Sequence, residues 1–362
     1  MTMHAPATAK PVQAPVGEIG GIPLATWRWI LLGGGLVVLA VIPFVTKNFY
    51  IFQITLALIY AIAILGLNLL TGFNGQFSLG HSAFYAIGAY TAAIMMENMG
   101  IHYAWTLPVA AIVCFVFGFL FGLPALRLEG IYLALATFAL AIAIPQVLKS
   151  SVVEHWTGGV QGIVIIKPDA PFGLPLNSDQ WLYLFTVLTV IVMYVCAANL
   201  VKSRTGRALI AIRDHPVAAS AMGINVSLYK SLTFGVSALY TGVAGALGAI
   251  VIGFVAPDSF TFTLAVALFV GVVVGGTASI LGTIVGGVFV LFSPNIAEYL
   301  LDSFIPRLLD LLFNYRPQGT GNSKGLVGAV YGIMLLLVVF VMPTGAAGLG
   351  RLITGKLMKQ GR

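Results

Sequence analysis

Charge is what this chain has least of: 8% of its 362 residues are Asp, Glu, Lys or Arg, and only 11 of those are acidic. A soluble domain carries about a quarter charged residues. A chain that is 59% hydrophobic, with a mean hydropathy of +1.01, lacks the polar surface needed to cover a core in water. Its two cysteines, Cys114 and Cys196, both fall inside apolar runs; they read as small buried hydrophobes and supply no disulfide framework. The acidic residues, among them Glu97, Glu129, Glu154, Asp258, Glu298 and Asp302, mostly sit at the ends of those runs. No paired carboxylates, zinc-ligand spacing or nucleophile elbow is present, which argues against an enzyme and against a bound metal or cofactor. Ionisable residues in mid-segment are missing too. A proton- or sodium-coupled carrier keeps such groups in spite of their cost at that depth, so the energy for any transport is expected from elsewhere.

What fills the chain is a series of apolar runs, at 30–46, 50–70, 80–96, 105–126, 130–148, 181–200, 230–253, 262–276, 280–299 and 326–342. At 1.5 Å per residue, a run of roughly 18 to 22 residues crosses about 30 Å of hydrocarbon. The expected fold is all-α, a polytopic transmembrane bundle of about ten segments. Residues 30–345 then form the membrane domain, between tails at 1–29 and 346–362. The first tail, rich in Ala, Pro and Gly, lacks the short apolar core and small-residue cleavage site of a secretory signal. With the N-terminus inside, all of the 18 Lys and Arg except Lys47, Lys149, Lys167, Arg307, Arg316 and Lys324 fall on the cytoplasmic side. That excess fits the positive-inside rule with both termini cytoplasmic.

Glycines break the pattern in two places. Gly72, Gly75 and Gly80 interrupt the stretch after the second run, and Gly275 and Gly276 the stretch near the eighth. Each suggests a broken or re-entrant helix, and their corresponding positions in two halves suggest an internal repeat. Small residues at helix-packing spacing (Gly118 and Gly122, Gly271 and Gly275, Gly282 and Gly286, Gly328 and Gly332) read as close helix contacts. Asn74, Gln76, Ser78, His81 and Ser82 are polar groups at the first break. Either they line a translocation route, or they satisfy the backbone of the broken helix itself. Two outer loops, 149–180 and 300–325, are candidate contact surfaces. In the second, Gly319, Gly321 and Lys324 imitate a phosphate-binding loop, but Ser323 precedes the lysine and Gly325 follows it, the reverse of what that motif requires.

The cytoplasmic loop 201–229 is the one long basic segment. Lys202, Arg204, Arg207 and Arg213 lead into a stub in which Pro216 suits a first helical turn, Asp214 lies beside the positive helix end and Gly223 supplies the stop. Ala218, Ala219 and Met222 lie within it, giving an amphipathic element of about two turns suited to a groove on a cytoplasmic partner.

Ala218 and Ala219, followed after three residues by Gly223, resemble the Ala-Ala-x-x-x-Gly core of the cytoplasmic signature of bacterial ATP-binding cassette importers, with Val217 where the pattern has Glu. The stretches LNLLTGFNGQFSLGHSAFYAIGAYTA from Leu67, LRLEGIYLALATFAL from Leu126 and GRALIAIRDHPVAASAMGINVSLYK from Gly206 are similar to the inner-membrane permease subunits of branched-chain amino-acid importers of the LivM type. So are Thr157 to Gly159 and VGGTASILG from Val274. The resemblance covers roughly residues 30 to 345 and leaves out the insert at 309–322. It implies a second homologous permease subunit, two ATP-binding cassette ATPase subunits and a periplasmic solute-binding protein as partners, in a bacterial inner membrane. By the same resemblance Arg207 to Gly223 is the coupling region, and the cargo is a branched-chain amino acid, or else urea, a short amide or an aromatic acid. An ion-driven carrier and a non-transporting scaffold are the competing classes; the scarcity of mid-segment charge opposes the first and the broken helices the second.

Overall fold

The computed structural model describes residues 41–128 and 130–299, together with positions 18, 19, 22, 23, 39, 332, 333, 337, 340, 345, 346 and 348. The chain divides into two units, Met1–Lys47 and Asn48–Arg362. In the first, β1 (Glu18–Ile19) pairs antiparallel with β2 (Ile22–Pro23). The second is a helical bundle. The runs read from sequence between 50 and 299 each coincide with a helix; those at 30–46 and 326–342 lie wholly or mostly outside the described residues, as do the loop 300–325 and the insert at 309–322.

Helix α1 (Asn48–Asn68) continues into a π-helical turn, Leu69–Phe73. After it come α2 (His81–Glu97), α3 (Tyr103–Ala125) and α4 (Ile131–Lys149). A single turn, α5 (Glu154–Thr157), precedes α6 (Ser178–Lys202). The basic loop holds α7 (Arg204–Asp214) and α8 (Pro216–Ala221), and α9 (Val226–Ile252), α10 (Phe262–Gly275) and α11 (Gly282–Tyr299) complete the described bundle. Among the described residues, five helices are long and apolar enough to cross a bilayer: α1 with its π turn, α3, α4, α6 and α9. The other six, α2, α5, α7, α8, α10 and α11, are shorter or more polar. The stretch from Asn74 to Gly80 stays out of α2, and α10 stops after 14 residues where Gly276 takes φ of 100°, a backbone conformation open to glycine.

The bundle has a centre and a rim. The apolar stretches of α1 and α9 are 78% and 83% buried against protein, whereas those of α3, α4 and α6 are only 33%, 22% and 28% buried. Helices apolar all round suit both places, since lipid and protein interior are equally dry. Helix α9 packs on α3, α2 and α1, and α1 packs also on α11 and α6. These contacts are made through small residues. A Cβ on Gly88 of α2 would overlap the Gly242 carbonyl of α9, and one on Gly118 would overlap the Ala238 methyl. Gly122 faces Ser231 and Phe234, Gly275 meets Gly282 backbone to backbone, and Gly286 meets Gly271. Three of the expected glycine pairs therefore sit at helix contacts, while nothing lies within 4 Å of a Cβ at Gly332 and Gly328 is outside the described residues.

The loop after α4 is held by a strand pairing and two ion pairs. Its strand β3 (Ile163–Val164) pairs antiparallel with β4 (Phe254–Val255), which directly follows α9, and Ile165 N–H donates to the Gly253 carbonyl at 2.9 Å. Lys149 pairs with Asp258. Lys167 pairs with Asp179 at 2.9 Å, and its ammonium lies 5.2 Å from the centre of the Phe52 ring.

Candidate functional site

The first break is built from backbone groups that α1 can no longer satisfy. Within the π turn and the residues after it, Gln76 N–H donates to the Leu70 carbonyl at 3.2 Å, and the Thr71 hydroxyl donates to the Gln76 carbonyl at 3.1 Å. Leu79 N–H donates to Thr137 Oγ1 on α4 at 2.9 Å, and that hydroxyl passes its own proton to the Ala134 carbonyl. Gly75, with φ of 75°, makes the bend.

His81 opens α2 and is buried, as are Ser78 and Ser237. Its Nε2 lies 2.6 Å from Ser237 Oγ, and Ser237 donates to the Gly66 carbonyl at 2.6 Å. A hydroxyl has one proton, so Nε2 is the donor in the first of these bonds, and Ser78 Oγ donates to Nδ1 at 3.0 Å. The chain Ser78, His81, Ser237, Gly66 thus runs in one direction through a neutral ring, joining the break, α2, α9 and α1.

All five polar residues expected at this break are buried, and they divide by partner. Gln76, Ser78 and His81 hold the break together. Asn74 donates from Nδ2 to Gln76 Oε1 at 2.8 Å, but its Oδ1 has no partner, and neither has Ser82 Oγ.

The second break docks on the first. At the end of α1, Asn68 Oδ1 accepts from Ala278 N–H and Nδ2 donates to the Ser279 carbonyl, each at 2.9 Å. Ala278 sits at φ of 58°, a left-handed conformation that costs a non-glycine residue about 1–2 kcal/mol and that this amide clamp supports. Gly72 is required beside it, because a Cβ there would overlap both Asn68 Oδ1 and Ala278 N.

The basic loop closes against the same end of the bundle. Ser203 caps α7 by accepting from Gly206 N–H, and Ala208, Leu209 and Ile212 form its buried stripe. Arg207 and Arg213 are exposed. The stub expected from Pro216 to Gly223 is a six-residue helix, with Gly223 at φ of 84° ending it. Val217 and Met222 point outward, 80% and 84% exposed, and Asp214, Pro216, Ala218 and Gly223 are exposed as well. Ala219 is 4% exposed and turns into the bundle.

Arg213 joins the two regions. Its Nη1 donates to the Gly72 carbonyl at 2.9 Å, and its Nε to Asp214 Oδ1 at 2.9 Å. A cavity of about 190 Å³ lies at this junction, lined by Asn74, Gly75, Gln76 and Phe77 on one side and by Ile212, Arg213, Pro216 and Lys230 on another. The polar break and the basic loop, which are far apart in sequence, are therefore one site. Its chemistry is that of hydrogen bonding and positive charge; no group of three potential metal ligands occurs among the described residues. Asn68, Thr137 and Ser237 were not among the expected site residues. A lone Asn in an apolar run is a visible signal, since lipid gives its amide no partner.

The chain matches over residues 49–339 the model of a family described as the permease component of the branched-chain amino acid transport system. It is 32% identical over 338 residues to the high-affinity branched-chain amino acid transport system permease protein LivM of Escherichia coli, covering 86% of this chain and 79% of that one. It is 26% identical over 318 residues to LivH of the same organism, covering 82% of this chain and 93% of that one. It is also 24% identical over 269 residues to the autoinducer 2 import system permease protein LsrC of Shigella flexneri, covering 70% and 74%. No solved structure matches it.

Proposed function

Because the chain belongs to the family of branched-chain amino-acid transport permease components, we propose that it forms, with a second homologous permease subunit, the membrane pathway of an ATP-driven importer. Residues 30–345 are the membrane domain, between cytoplasmic tails at 1–29 and 346–362, in a bacterial inner membrane. Two separate ATP-binding subunits hydrolyse the nucleotide and dock on loop 201–229. A periplasmic binding protein delivers a branched-chain amino acid to the opposite face, where loops 149–180 and 300–325 meet it.

The observation that carries this reading is the hydrogen bond from Arg213 to the Gly72 carbonyl. It ties the surface offered to the ATPase directly to the polar break. Val217 and Met222 present the apolar contact, Ala219 anchors the stub from beneath, and Arg207, Pro216, Ala218 and Gly223 shape its outer face. When the two ATPases close, α7 and α8 move as a short rigid body and carry Arg213 with them. The break then shifts against α2 and α9, where Asn74 and Ser82 offer unpartnered polar atoms to a passing solute and Gln76, Ser78 and His81 keep the backbone satisfied.

Cargo is a branched-chain amino acid, as the names of the LivM and LivH relatives state for those proteins. The similarity to an autoinducer 2 permease supports a second reading, in which the same scaffold carries a different small solute such as urea, a short amide or an aromatic acid.

The test is ATP-driven leucine uptake by the reconstituted complex. Met222→Glu and Val217→Glu are expected to leave folding intact and to abolish stimulation of ATP hydrolysis by liganded binding protein; Arg213→Gln is expected to weaken it. Full stimulation in all three variants would refute the coupling assignment. Uptake by this chain alone, collapsed by a protonophore, would refute the ATP-driven reading.

A further inference from the structure

Resting on that reading, we propose that the turn Pro257–Phe260 is the outer gate of the solute pathway, and that Phe260 is the side chain that closes it. This 3-10 turn follows β4 and leads into α10, at the opposite end of α9 from the basic loop. Phe260 is 5% exposed, and its ring centre lies 5.9 Å from that of Tyr85 and 6.1 Å from that of Tyr90, both on α2. Two residues on, Phe262 meets Phe138 of α4 edge to face at 4.6 Å. One short turn and the first residue of α10 therefore wedge α2, α4 and α10 together. Ser82, a pathway residue in that reading, lies on the same helix one turn before Tyr85, on the inner side of the wedge.

The contact is built to open. The Tyr90 hydroxyl is buried with no hydrogen-bond partner, which disfavours the closed arrangement; water or solute satisfies it once Phe260 swings aside. What holds the turn down lies at the surface: Asp258, in the same turn, pairs with Lys149 at the end of α4, and its side chain is 68% exposed. Such a pair adds little to the stability of the fold, but it sits where a charged group on a docking protein can compete for either partner. The turn is also joined to the loop that meets that protein, since β4 ends two residues before Pro257 and is hydrogen-bonded to β3. Gly253, at φ of 75°, makes the bend where α9 ends. A load on β3 is thus passed along the backbone to Phe260.

The experiment measures entry from outside in the reconstituted complex, without ATP and with the binding-protein face outward. Ser82→Cys, in a Cys196→Ser background, is labelled by a membrane-impermeant methanethiosulfonate cation added externally. The buried Cys114 of α3, measured in the same background without the Ser82 substitution, reports general loosening. Phe260→Ala is expected to speed labelling at position 82 about tenfold or more, the loss of two aromatic contacts. Lys149→Asp, which sets two carboxylates together, is expected to speed it about two- to fivefold, the range of a surface ion pair, and adding Asp258→Lys to it is expected to restore the slow rate. The proposal is overturned if Phe260→Ala and Lys149→Asp both label at the unsubstituted rate, or if the reversed pair stays fast. It is also overturned if Cys114 speeds up in step with position 82, which assigns the turn to packing alone. Where Phe260→Ala does not fold, the reversal of the ion pair decides. Labelling needs no transport, so absence of ATP-driven leucine uptake by the unsubstituted complex overturns the importer reading separately, and the two failures are distinguishable.

Discussion

Replacing Asn68 by Ala removes the clamp between the two helix breaks. The side chain makes two hydrogen bonds, to Ala278 N–H and to the Ser279 carbonyl, each at 2.9 Å. Interhelical hydrogen bonds in membrane proteins average about 0.6 kcal/mol and reach about 1.7, so the pair is worth roughly 1–3 kcal/mol. The upper half of that range is expected, because truncation leaves two backbone groups unpaired and withdraws support from the left-handed Ala278. Gly72→Ala attacks the same clamp from the other side, since its methyl needs the space of Asn68 Oδ1. The two substitutions therefore share one loss. The double variant is expected to be less destabilised than the summed singles by about 0.5–3 kcal/mol, the range for residues in direct contact. Thermal unfolding of the purified chain in mild detergent reads all three, and maleimide labelling of a cysteine at Ser279 reads release of the loop. Additive effects, or wild-type protection of position 279 in Asn68→Ala, would refute the clamp.

Ser237→Ala takes the middle link from the chain through His81, leaving Nε2–H without its acceptor and removing one bond to the Gly66 carbonyl; a loss of about 1–3 kcal/mol in thermal stability is expected. Ser82→Ala removes a buried hydroxyl that has no partner, so stability stays within about 0.5 kcal/mol, and any drop in uptake then reports a contact with the solute. Gly88→Val should prevent α2 from closing on α9 at Gly242, read as loss of monodisperse protein after extraction. Lys149→Gln breaks an ion pair whose Asp258 side chain is largely exposed, and little change in stability is expected.

The helices were legible because a bilayer makes backbone satisfaction local: an apolar run long enough to span has to be helical. Where the fold departs from that rule, less could be read. Helix α7 is short, and its buried Ala208, Leu209 and Ile212 alternate with arginines, so the segment reads as charge instead of as an amphipathic helix. The stub after it was readable from Pro216 and Gly223, yet nothing in a run of small residues says that Ala219 is the one facing inward. The polar residues of the first break stood out by type. Their division did not, because it depends on partners brought from elsewhere in the chain, Thr137 and Ser237. Arg213 was expected in the coupling region, but its tie to the break was not legible, because its partner is a glycine carbonyl, a group with no side-chain signature. Asn68 likewise finds its partners some 210 residues away, on peptide groups that any sequence would supply.

Helix α9 has a further consequence through its two ends. It is 27 residues long, about 40 Å, and is the most buried of the long helices. One end joins α8 within a few residues, and the other continues into β4, which is stitched through β3 to the loop after α4. A protein pressing on that loop has to break the stitching or tilt α9 as a whole. A strut fastened at both faces and wedged by glycines along its middle has little slack, so a push on one side of the membrane arrives at the other with little delay and little loss.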